Sequence, residues 1–468
     1  MKNANCKMKN ENPTLSLLSL RGEAEAISKG EIPRFARNDR GGFLIIFLGI
    51  IFLASATFCF AADISFTPPL GITHPDKKVS SPSVASDKDN RIYIAWARED
   101  ADGANIYAAS LIPSPLAPHP TLPLHGGGSG EGVFSKPVKV NPKEMGMSGI
   151  HANPDIAVGQ NNEIYVVWSS PRKDDGSDIL FSRSIDNGKT FEKPVAVNDA
   201  QSPVSRGFES IAVGKDGVIH IVWFDGRDNK LVPAGSKQGK DGTTSTYYAR
   251  SLDNGKTFEK NIKLDENTCV CCRTAITVDD KGNVYASWRK VFKGDVRDMV
   301  VAHSKDNGKT FSKPVVVSED RWSIAACPHR GPSLGTDKNG FLYIIWYTEG
   351  AEGVPSVYFA VSKDNAKTFS KRKSISETKS VFPDHPKLAV DKDGSVFFVW
   401  EETTPVYSRI FFRFYDGEKF SEPIQISDGI RKSHDASITI DKNGNILTAW
   451  SQQEVRFTKT VLKIGRMK

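Results

Sequence analysis

Clustered basic charge is missing from this sequence. Its 62 Lys and Arg residues nearly balance 55 Asp and Glu residues, which leaves a formal net charge of +7. The lysines fall largely in repeated turns, where a solvated surface is the simpler interpretation. A nucleic-acid-binding domain needs a basic stripe or patch that follows the phosphate backbone. We therefore expect no nucleic-acid partner.

Long apolar runs are scarce as well. Arg37 and Arg40 precede the run FLIIFLGIIFLASATF at 43–58, and small residues follow at Ala61 and Ala62. A membrane-spanning helix needs about 20 apolar residues, whereas basic residues, a shorter apolar core and small residues are typical of a secretory signal. We predict that residues 1–62 form an N-terminal extension and signal peptide, with an uncleaved anchor as the alternative. The mature protein is then secreted, periplasmic or at the cell surface, with no stable membrane span.

Cysteine is sparse, and the sequence contains six. The four that follow residue 62 lie in the motifs CVCCRT and CPHRGP: Cys269, Cys271, Cys272 and Cys327. In an exported protein disulfides are the expected state, and a bridge from Cys327 to the triplet avoids the strained ring of a Cys271–Cys272 bond. Copper or zinc held by thiolates with His329 is the alternative, although the spacing is not a standard zinc pattern. We otherwise predict no metal and no cofactor.

A repeated turn dominates what is present. SIDNGKTF at 184–191 returns as SLDNGKTF at 251–258, SKDNGKTF at 304–311 and SKDNAKTF at 362–369, and a worn copy ends at Phe420. Apolar runs flank each copy, so each is predicted to be the turn of a β-hairpin. The Asp can accept backbone hydrogen bonds and the Gly can adopt positive φ. We therefore predict structural roles for Asp186, Asp253, Asp306 and Asp364.

The pattern S-x-D-x-G-x-T-F resembles the Asp-box of sialidases and of the wider group of BNR-repeat β-propellers. The resemblance implies an all-β fold, a β-propeller with Asp-box repeats. It also implies that the boxes lie on the face opposite the active site, so that their Asp residues are not catalytic.

A second repeat lies upstream of each box and consists of an apolar strand, a polar turn and a strand ending in Trp. The copies end at Trp96, Trp168, Trp223, Trp288, Trp346, Trp400 and Trp450. We predict seven blades within a domain at 63–468, with the six blades usual in sialidases as the alternative. The N-terminal strand at 64–72 should close the last blade, which leaves no free edge at the seam. The tryptophans are predicted to pack in the core, and we expect a monomer.

One segment breaks the pattern. Residues 111–133 are rich in Pro and then in Gly, with no periodicity, and we predict a disordered insertion in a hairpin tip. His119 and His125 within it are interpreted as solvated.

Charged residues collect in the loops that enter the first strand or leave the second strand of each repeat. In a propeller these loops open onto one face, and so much mixed charge exceeds what turns require. We predict that this rim binds a glycan or another small anionic ligand. The candidate binding residues are Arg206, Glu209, Asp225, Arg227, Arg273, His329, Arg330, Asp384, His385, His434 and Asp435.

Enzymatic function is left open. A sialidase needs three Arg side chains on the substrate carboxylate, a Tyr nucleophile activated by Glu, and an Asp acid/base. Arg206, Arg273 and Arg330 hold matching positions in successive repeats and could converge, but the family's early Arg-Ile-Pro element is absent. Neither Tyr347 nor Tyr407 lies in a context that identifies a nucleophile, and the catalytic residues stay unknown. Exo-sialidase or other glycoside hydrolase activity is the first alternative to binding, and a metal or redox role of the cysteines is the second.

Overall fold

The computed structural model describes residues 64–72, 78–111, 134–142, 153–228, 244–324, 329–376 and 382–467. The predicted signal segment at 1–62 lies outside this part of the chain. The predicted insertion also lies outside it, apart from Leu111, which ends a strand.

The described residues contain 29 β-strands and no helix. The first two described strands are short: β1 (Ile64–Phe66) and β2 (Leu70–Gly71). Successive groups of four strands follow, namely β3 (Val79–Ser86), β4 (Ile92–Asp100), β5 (Gly103–Leu111), β6 (Val138–Lys139); β7 (Asp155–Val158), β8 (Ile164–Pro171), β9 (Ser177–Ser184), β10 (Val195–Ala196); β11 (Arg206–Val213), β12 (Ile219–Asp225), β13 (Thr244–Ser251), β14 (Ile262–Thr268); β15 (Ala275–Val278), β16 (Val284–Phe292), β17 (Val296–Ser304), β18 (Val315–Val316); β19 (Ser333–Thr336), β20 (Leu342–Thr348), β21 (Ser356–Ser362), β22 (Lys373–Ser374); and β23 (Phe382–Val390), β24 (Val396–Thr403), β25 (Ser408–Tyr415), β26 (Ile424–Gln425). The last group is β27 (Ser433–Ile440), β28 (Ile446–Gln453) and β29 (Thr458–Met467).

Each group is an antiparallel meander, and the all-β prediction is confirmed. The third and fourth groups share one eight-stranded sheet, because Thr268 at the end of β14 pairs with Lys290 in β16. In the last group β1 and β2 pair with β29, for example Ile64 with Met467. The two ends of the described chain therefore share one sheet, as the sequence predicted. No described segment forms a helix of the length and hydropathy that a membrane crossing requires.

The hydrophobic core lies between neighbouring groups. Tyr93 and Ala95 of β4 share a buried cluster with Trp168 of β8, and Trp96 of β4 shares another with Leu447 of β28. The second strands are apolar on both faces because both faces are covered. All seven repeated tryptophans are at most 1% exposed. Their predicted role in packing is confirmed by this burial.

A β-bulge recurs opposite the repeated Trp in the first, third, sixth and seventh groups. In the third group the residues Phe208 and Glu209 together face Trp223, since Gly207 pairs with Phe224 and Ser210 pairs with Val222. The other bulges face Trp96, Trp400 and Trp450. The first bulged residue has positive φ each time: Ser81 at 53°, Phe208 at 54°, His385 at 42° and Asp435 at 57°. A bulge re-aims side chains locally, so these four strands present residues differently from a regular strand.

The Asp-box turns are closed by the Asp carboxylates. Asp253 accepts hydrogen bonds from the Ser251 hydroxyl at 2.7 Å, the Thr257 N–H at 3.0 Å and the Thr257 hydroxyl at 2.6 Å. Partial burial opposes ionisation, but these hydrogen bonds lower the pKa of Asp253 to about 2. Asp186, Asp306 and Asp364 make the same contacts with their own Ser and Thr. The carboxylates thus act within their own turns.

We expect Asp253→Ala to destabilise the protein. Removing an acceptor from partly buried turn donors costs about 1–3 kcal/mol. For a domain of this size that lowers the melting temperature by roughly 1–4 °C. Calorimetry of this variant beside Asp280→Ala, which removes a more exposed carboxylate bound to Lys215, measures the effect. An unchanged melting temperature combined with loss of ligand binding would contradict the structural role.

The fourth box offers a second test, because Ala366 has φ of 58°. Relief of the left-handed conformation gains about 1–2 kcal/mol, while loss of a buried methyl costs about 0.8 kcal/mol. We expect Ala366→Gly to be neutral or stabilising by at most about 1 kcal/mol. Gly308 is the matched position in the third box, where a Cβ would lie 1.8 Å from the Tyr248 hydroxyl oxygen. Gly308→Ala should therefore destabilise strongly, and equal effects of the two substitutions would refute the assignment.

Candidate functional site

A polar pocket lies where the first strands of all the groups begin. Each group contributes two or three residues to its walls. These residues lie opposite the repeated Trp in the first strand or immediately before that strand. The lining comprises 81–83, 153–155, 208–210, 273–274, 331–332, 385–387 and 435–437. We call it the axial pocket. Of the predicted binding residues it contains Glu209, Arg273, His385 and Asp435.

Asp155 ties three first strands together at the pocket wall. Its Oδ1 accepts a hydrogen bond from the Ser83 hydroxyl at 2.8 Å. Its Oδ2 accepts from the Ser210 hydroxyl at 3.2 Å and the Ile211 N–H at 3.1 Å. Both oxygens are engaged within the protein, so Asp155 holds the pocket in shape.

Glu209 is buried in the pocket wall, and only 7% of its surface is exposed. Its Oε2 has no hydrogen-bond partner among the described residues. Burial disfavours the carboxylate and raises the pKa of Glu209 to about 7, although Arg273 acts in the opposite direction. Around neutral pH this side chain can hold or release a proton, which suits a hydrogen-bond donor or an acid/base group.

Two cationic side chains face the same space. Arg273 donates a hydrogen bond to the Asn153 Oδ1 at 3.0 Å. Burial, together with the nearby Arg273 guanidinium, lowers the pKa of Lys387 to about 8, while Asp155 and Asp435 act against this. Lys387 makes no salt bridge within the described part of the chain. Neighbouring cations without a bridging carboxylate form a site suited to an anion.

His385 and Asp435 belong to a hydrogen-bonded chain of charged groups. His385 Nδ1 lies 3.1 Å from Glu401 Oε1, and that oxygen accepts the Asp435 N–H at 2.6 Å. The side chain of Asp435 contacts His434 as well, with 3.0 Å between Asp435 Oδ2 and His434 Nδ1. Burial disfavours the imidazolium, but Glu401 and Asp384 outweigh it and raise the pKa of His385 to about 9. His385 is therefore a charged partner of these carboxylates at neutral pH.

Arg206, Asp225 and Arg227 form a separate internal network. The fully buried Asp225 accepts from Arg206 Nε at 2.9 Å and from Arg227 Nη2 at 2.7 Å. The remaining Arg206 nitrogens donate to the carbonyls of Ser177, Ser202 and Ala200. None of the three residues lines the axial pocket, and Arg206 does not join Arg273 in holding a common ligand there.

Arg330 is likewise engaged within the protein. Its guanidinium binds Asp384 in a bidentate pair at 2.6 and 2.8 Å and lies 4.0 Å above the centre of the Tyr347 ring. Tyr347 donates a hydrogen bond to Glu349 at 2.7 Å. Of the three arginines that could converge, only Arg273 lines the axial pocket, since Arg206 and Arg330 each pair with a buried or half-buried Asp outside its lining.

The remaining predicted residues are placed as follows. His434 contacts Asp435 from outside the lining, and exposed His329 lies with its ring centre 6.2 Å from that of Phe208. The sulfur atoms of Cys269, Cys271 and Cys272 are buried and unbonded, and the Cys269 and Cys272 Sγ atoms are 3.0 Å apart. Cys327 lies outside the described residues, so its predicted bridge to the triplet stays a prediction. No disulfide joins the three described cysteines.

Sequence reasoning missed Ser81, Asn153, Asp155 and Lys387. A usable signal was nevertheless present. In every group the pocket residues occur at one fixed distance before the Trp of the second strand, either within the first strand or immediately before it. Aligning the repeats by their Trp would have brought HPK at 385–387 and NPD at 153–155 to the same place.

Comparison with known proteins identifies the family. Residues 134–398, more than half of the chain, match the family model of the BNR repeat-like domain. The chain belongs to the BNR repeat-like family. The resemblance stated from the Asp-boxes is thereby confirmed. No curated protein matches the sequence.

Solved structures with the same fold share little sequence with this BNR protein. A protein of unknown function from Dyadobacter fermentans is 14% identical, with a TM-score of 0.50 over 86% of this chain and 99% of its own. The polysaccharide lyase Uly1 is 10% identical, with a TM-score of 0.52 over 83% and 90%. The intramolecular trans-sialidase from Ruminococcus gnavus is 11% identical, with a TM-score of 0.47 over 69% and 95%. Likeness at this level of identity concerns the fold alone.

The charged state of His385 gives a testable pH dependence. Its pKa is higher in the folded protein, about 9, than the unfolded value of about 6.5. The resulting stabilisation is complete below about pH 6.5 and is lost as the pH rises through about 9. The difference in unfolding free energy between wild type and His385→Asn should therefore shrink over this range, as measured by urea denaturation.

His303 supplies the control for that experiment, because burial lowers the pKa of His303. His303→Asn should not show the same decline. A stability difference for His385→Asn that is constant from about pH 6.5 to 9 would contradict its charged role.

Proposed function

We propose that this protein is a secreted, seven-bladed BNR β-propeller that binds a small carboxylate-bearing ligand, such as the acidic sugar of a glycan, in the axial pocket. The observation that carries the proposal is the pair of unbridged cations, Arg273 and Lys387, facing one space. The proposal therefore places the ligand in the axial pocket, whereas the sequence predicted only that it binds somewhere on the rim of loops.

Contacts between the last and first groups support a closed ring of seven blades. The Val84 N–H in the first group donates to the Ser437 hydroxyl in the last group at 3.2 Å. Trp96 and Leu447 share a buried cluster across the same junction. With β1 and β2 both paired along β29, the last group also has an outer edge formed beside its own three strands. A ring with its ends in one blade has no unpaired edge at the junction, and the outer strands of most groups are only two residues long, which supports a monomer.

The balance of charge in the pocket favours an anion. Asp155 is fully engaged by protein donors, and Asp435 accepts from His434 and from the Ser81 N–H. Glu209 is largely neutral below about pH 7. Arg273 and Lys387 then offer donors to a ligand carboxylate, and protonated Glu209 offers a hydroxyl to a sugar oxygen.

Turnover is a second candidate, favoured by the raised pKa of Glu209. A carboxyl group that titrates near neutrality can act as general acid or base on a bound acidic saccharide. A sialidase mechanism with a Tyr nucleophile is less well supported. Tyr347 is fully buried, and burial together with Glu349 raises the pKa of Tyr347 despite Arg330. An activated nucleophile requires the opposite shift.

We expect Arg273→Gln to weaken binding of N-acetylneuraminic acid and glucuronic acid by about 10- to 100-fold, because a charge-assisted hydrogen bond is worth about 1.5–3 kcal/mol. Isothermal titration calorimetry measures this, with galactose as the neutral ligand. Arg321→Gln is the control, since Arg321 is exposed and pairs with Glu319. Equal affinity of wild type and Arg273→Gln for both acids would refute the carboxylate site.

Affinity for the acidic sugars should fall as the pH rises from about 6 to 9. Glu209 becomes anionic near pH 7 and repels the ligand, and Lys387 then loses its charge near pH 8. Glu209→Gln should remove the first step and keep the second. If this variant retains the complete wild-type pH profile, Glu209 does not face the ligand. Release of product from aryl sialosides or acidic polysaccharides by wild type, lost in Glu209→Gln, would favour turnover.

A further inference from the structure

Three cysteines meet in one tight turn beside the axial pocket. Cys269 continues from β14, and its N–H donates to the Arg289 carbonyl of β16 at 2.9 Å. The Cys272 N–H donates a hydrogen bond to the Cys269 carbonyl at 3.4 Å. The Cys269 Sγ lies 3.7 Å from that of Cys271 and 3.0 Å from that of Cys272. The turn therefore directs all three sulfur atoms to a common point, within 4.8 Å of one another.

The surroundings of the sulfur atoms are apolar and closed to solvent. The three cysteines are at most 4% exposed, and they pack against Val291 and Phe208. Phe208 also lines the axial pocket, so its ring lies between the two sites. A hydrated or hard cation is poorly suited to such a site, whereas soft sulfur ligands select soft metal ions.

Positive charge lies beside the sulfur atoms. Arg297 Nη1 is 3.7 Å from the Cys269 Sγ. Arg289 is fully buried, donates to the carbonyls of Arg297 and Tyr347, and has no hydrogen-bond partner for its Nε among the described residues. Arg297 also pairs with Asp295 at 2.9 Å, and Arg289 lies 4.7 Å above the centre of the Trp322 ring. Guanidinium groups beside the sulfur atoms favour thiolate over thiol.

We propose that Cys269, Cys271 and Cys272 form a three-sulfur binding site for a monovalent soft metal ion, copper(I). Sulfur atoms arranged in a triangle around an ion at about 2.3 Å lie about 4 Å apart, so the Cys269–Cys271 and Cys269–Cys272 separations of 3.7 and 3.0 Å need to open by about 1 Å or less. Zinc(II) takes four protein ligands in structural sites. The described residues bring together only these three ligand atoms at this place. This proposal does not rest on ligand binding in the axial pocket.

The test uses the full chain, reduced and kept free of oxygen, with copper(I) supplied as its bicinchoninate complex. Wild type should withdraw one equivalent of copper(I), seen as loss of the colour of that complex, and its melting temperature should rise because the ion binds the folded state. The combined variant Cys269→Ser, Cys271→Ser, Cys272→Ser should withdraw one equivalent less. It keeps Cys6, Cys59 and Cys327 and so measures the background from other thiols. Val270→Ser alters the same turn without removing sulfur and should bind like wild type.

X-ray absorption of copper-loaded wild type provides a reading that needs no variant. Three sulfur neighbours at about 2.3 Å are expected. Equal copper uptake by the combined variant, no uptake by reduced wild type, or a copper ion surrounded by nitrogen and oxygen would each overturn the proposal. Displacement of the bound copper by one equivalent of zinc(II) would also overturn it. If the combined variant does not fold, Cys271→Ser replaces it, with the same expected loss.

Discussion

Burial of one tryptophan in each second strand is the constraint on which the rest of the structure depends. Each of these side chains fills the space between neighbouring groups. In four groups the first strand has a β-bulge at this point, so that two of its residues lie opposite the single Trp of the second strand. The bulge places a residue at positive φ and directs the next side chains toward the axial pocket. In these groups the core residue and the pocket residues therefore lie opposite each other in one strand pair.

Hydrogen bonds between the first strands hold the groups side by side. Polar side chains at one repeated position accept a backbone N–H from the following group: Asp155 from Ile211, Ser333 from Leu388, and Ser437 from Val84. Buried backbone donors must be satisfied, and a short acceptor at this position does so. Lys387 occupies the equivalent position of the sixth group but carries a donor. Departure from a local rule is expected where function takes precedence, and this departure places the second cation beside Arg273.

The axial pocket and the cysteine turn use opposite chemistry within a few residues of each other. Arg273 directly follows Cys272, yet it faces a polar space that contains several other charged groups, while the sulfur atoms are enclosed with Val291 and Phe208. The pocket suits ligands that are recognised by charge and hydrogen bonds. The turn excludes water, which strengthens the selection for soft ligation. Phe208, held at positive φ by the bulge, contributes to both walls.

The sequence by itself determined the class of fold, because its signals are local. Alternating strands, the Asp-box turns and the recurring Trp repeat along the chain, and each can be recognised within about a dozen residues. It also selected Glu209, Arg273, His385 and Asp435, which line the axial pocket, although Glu209, His385 and Asp435 lie within first strands and not in the predicted loops. Only the tertiary structure decided which charged side chains are free for a ligand. Arg206 and Arg330 lie one or two residues farther from the repeated Trp of their own group than Arg273 does, and each meets an Asp, contributed by the following strand or the next group. Which cation finds a carboxylate depends on side chains that are brought together between strands and across groups, and the sequence alone does not show these contacts.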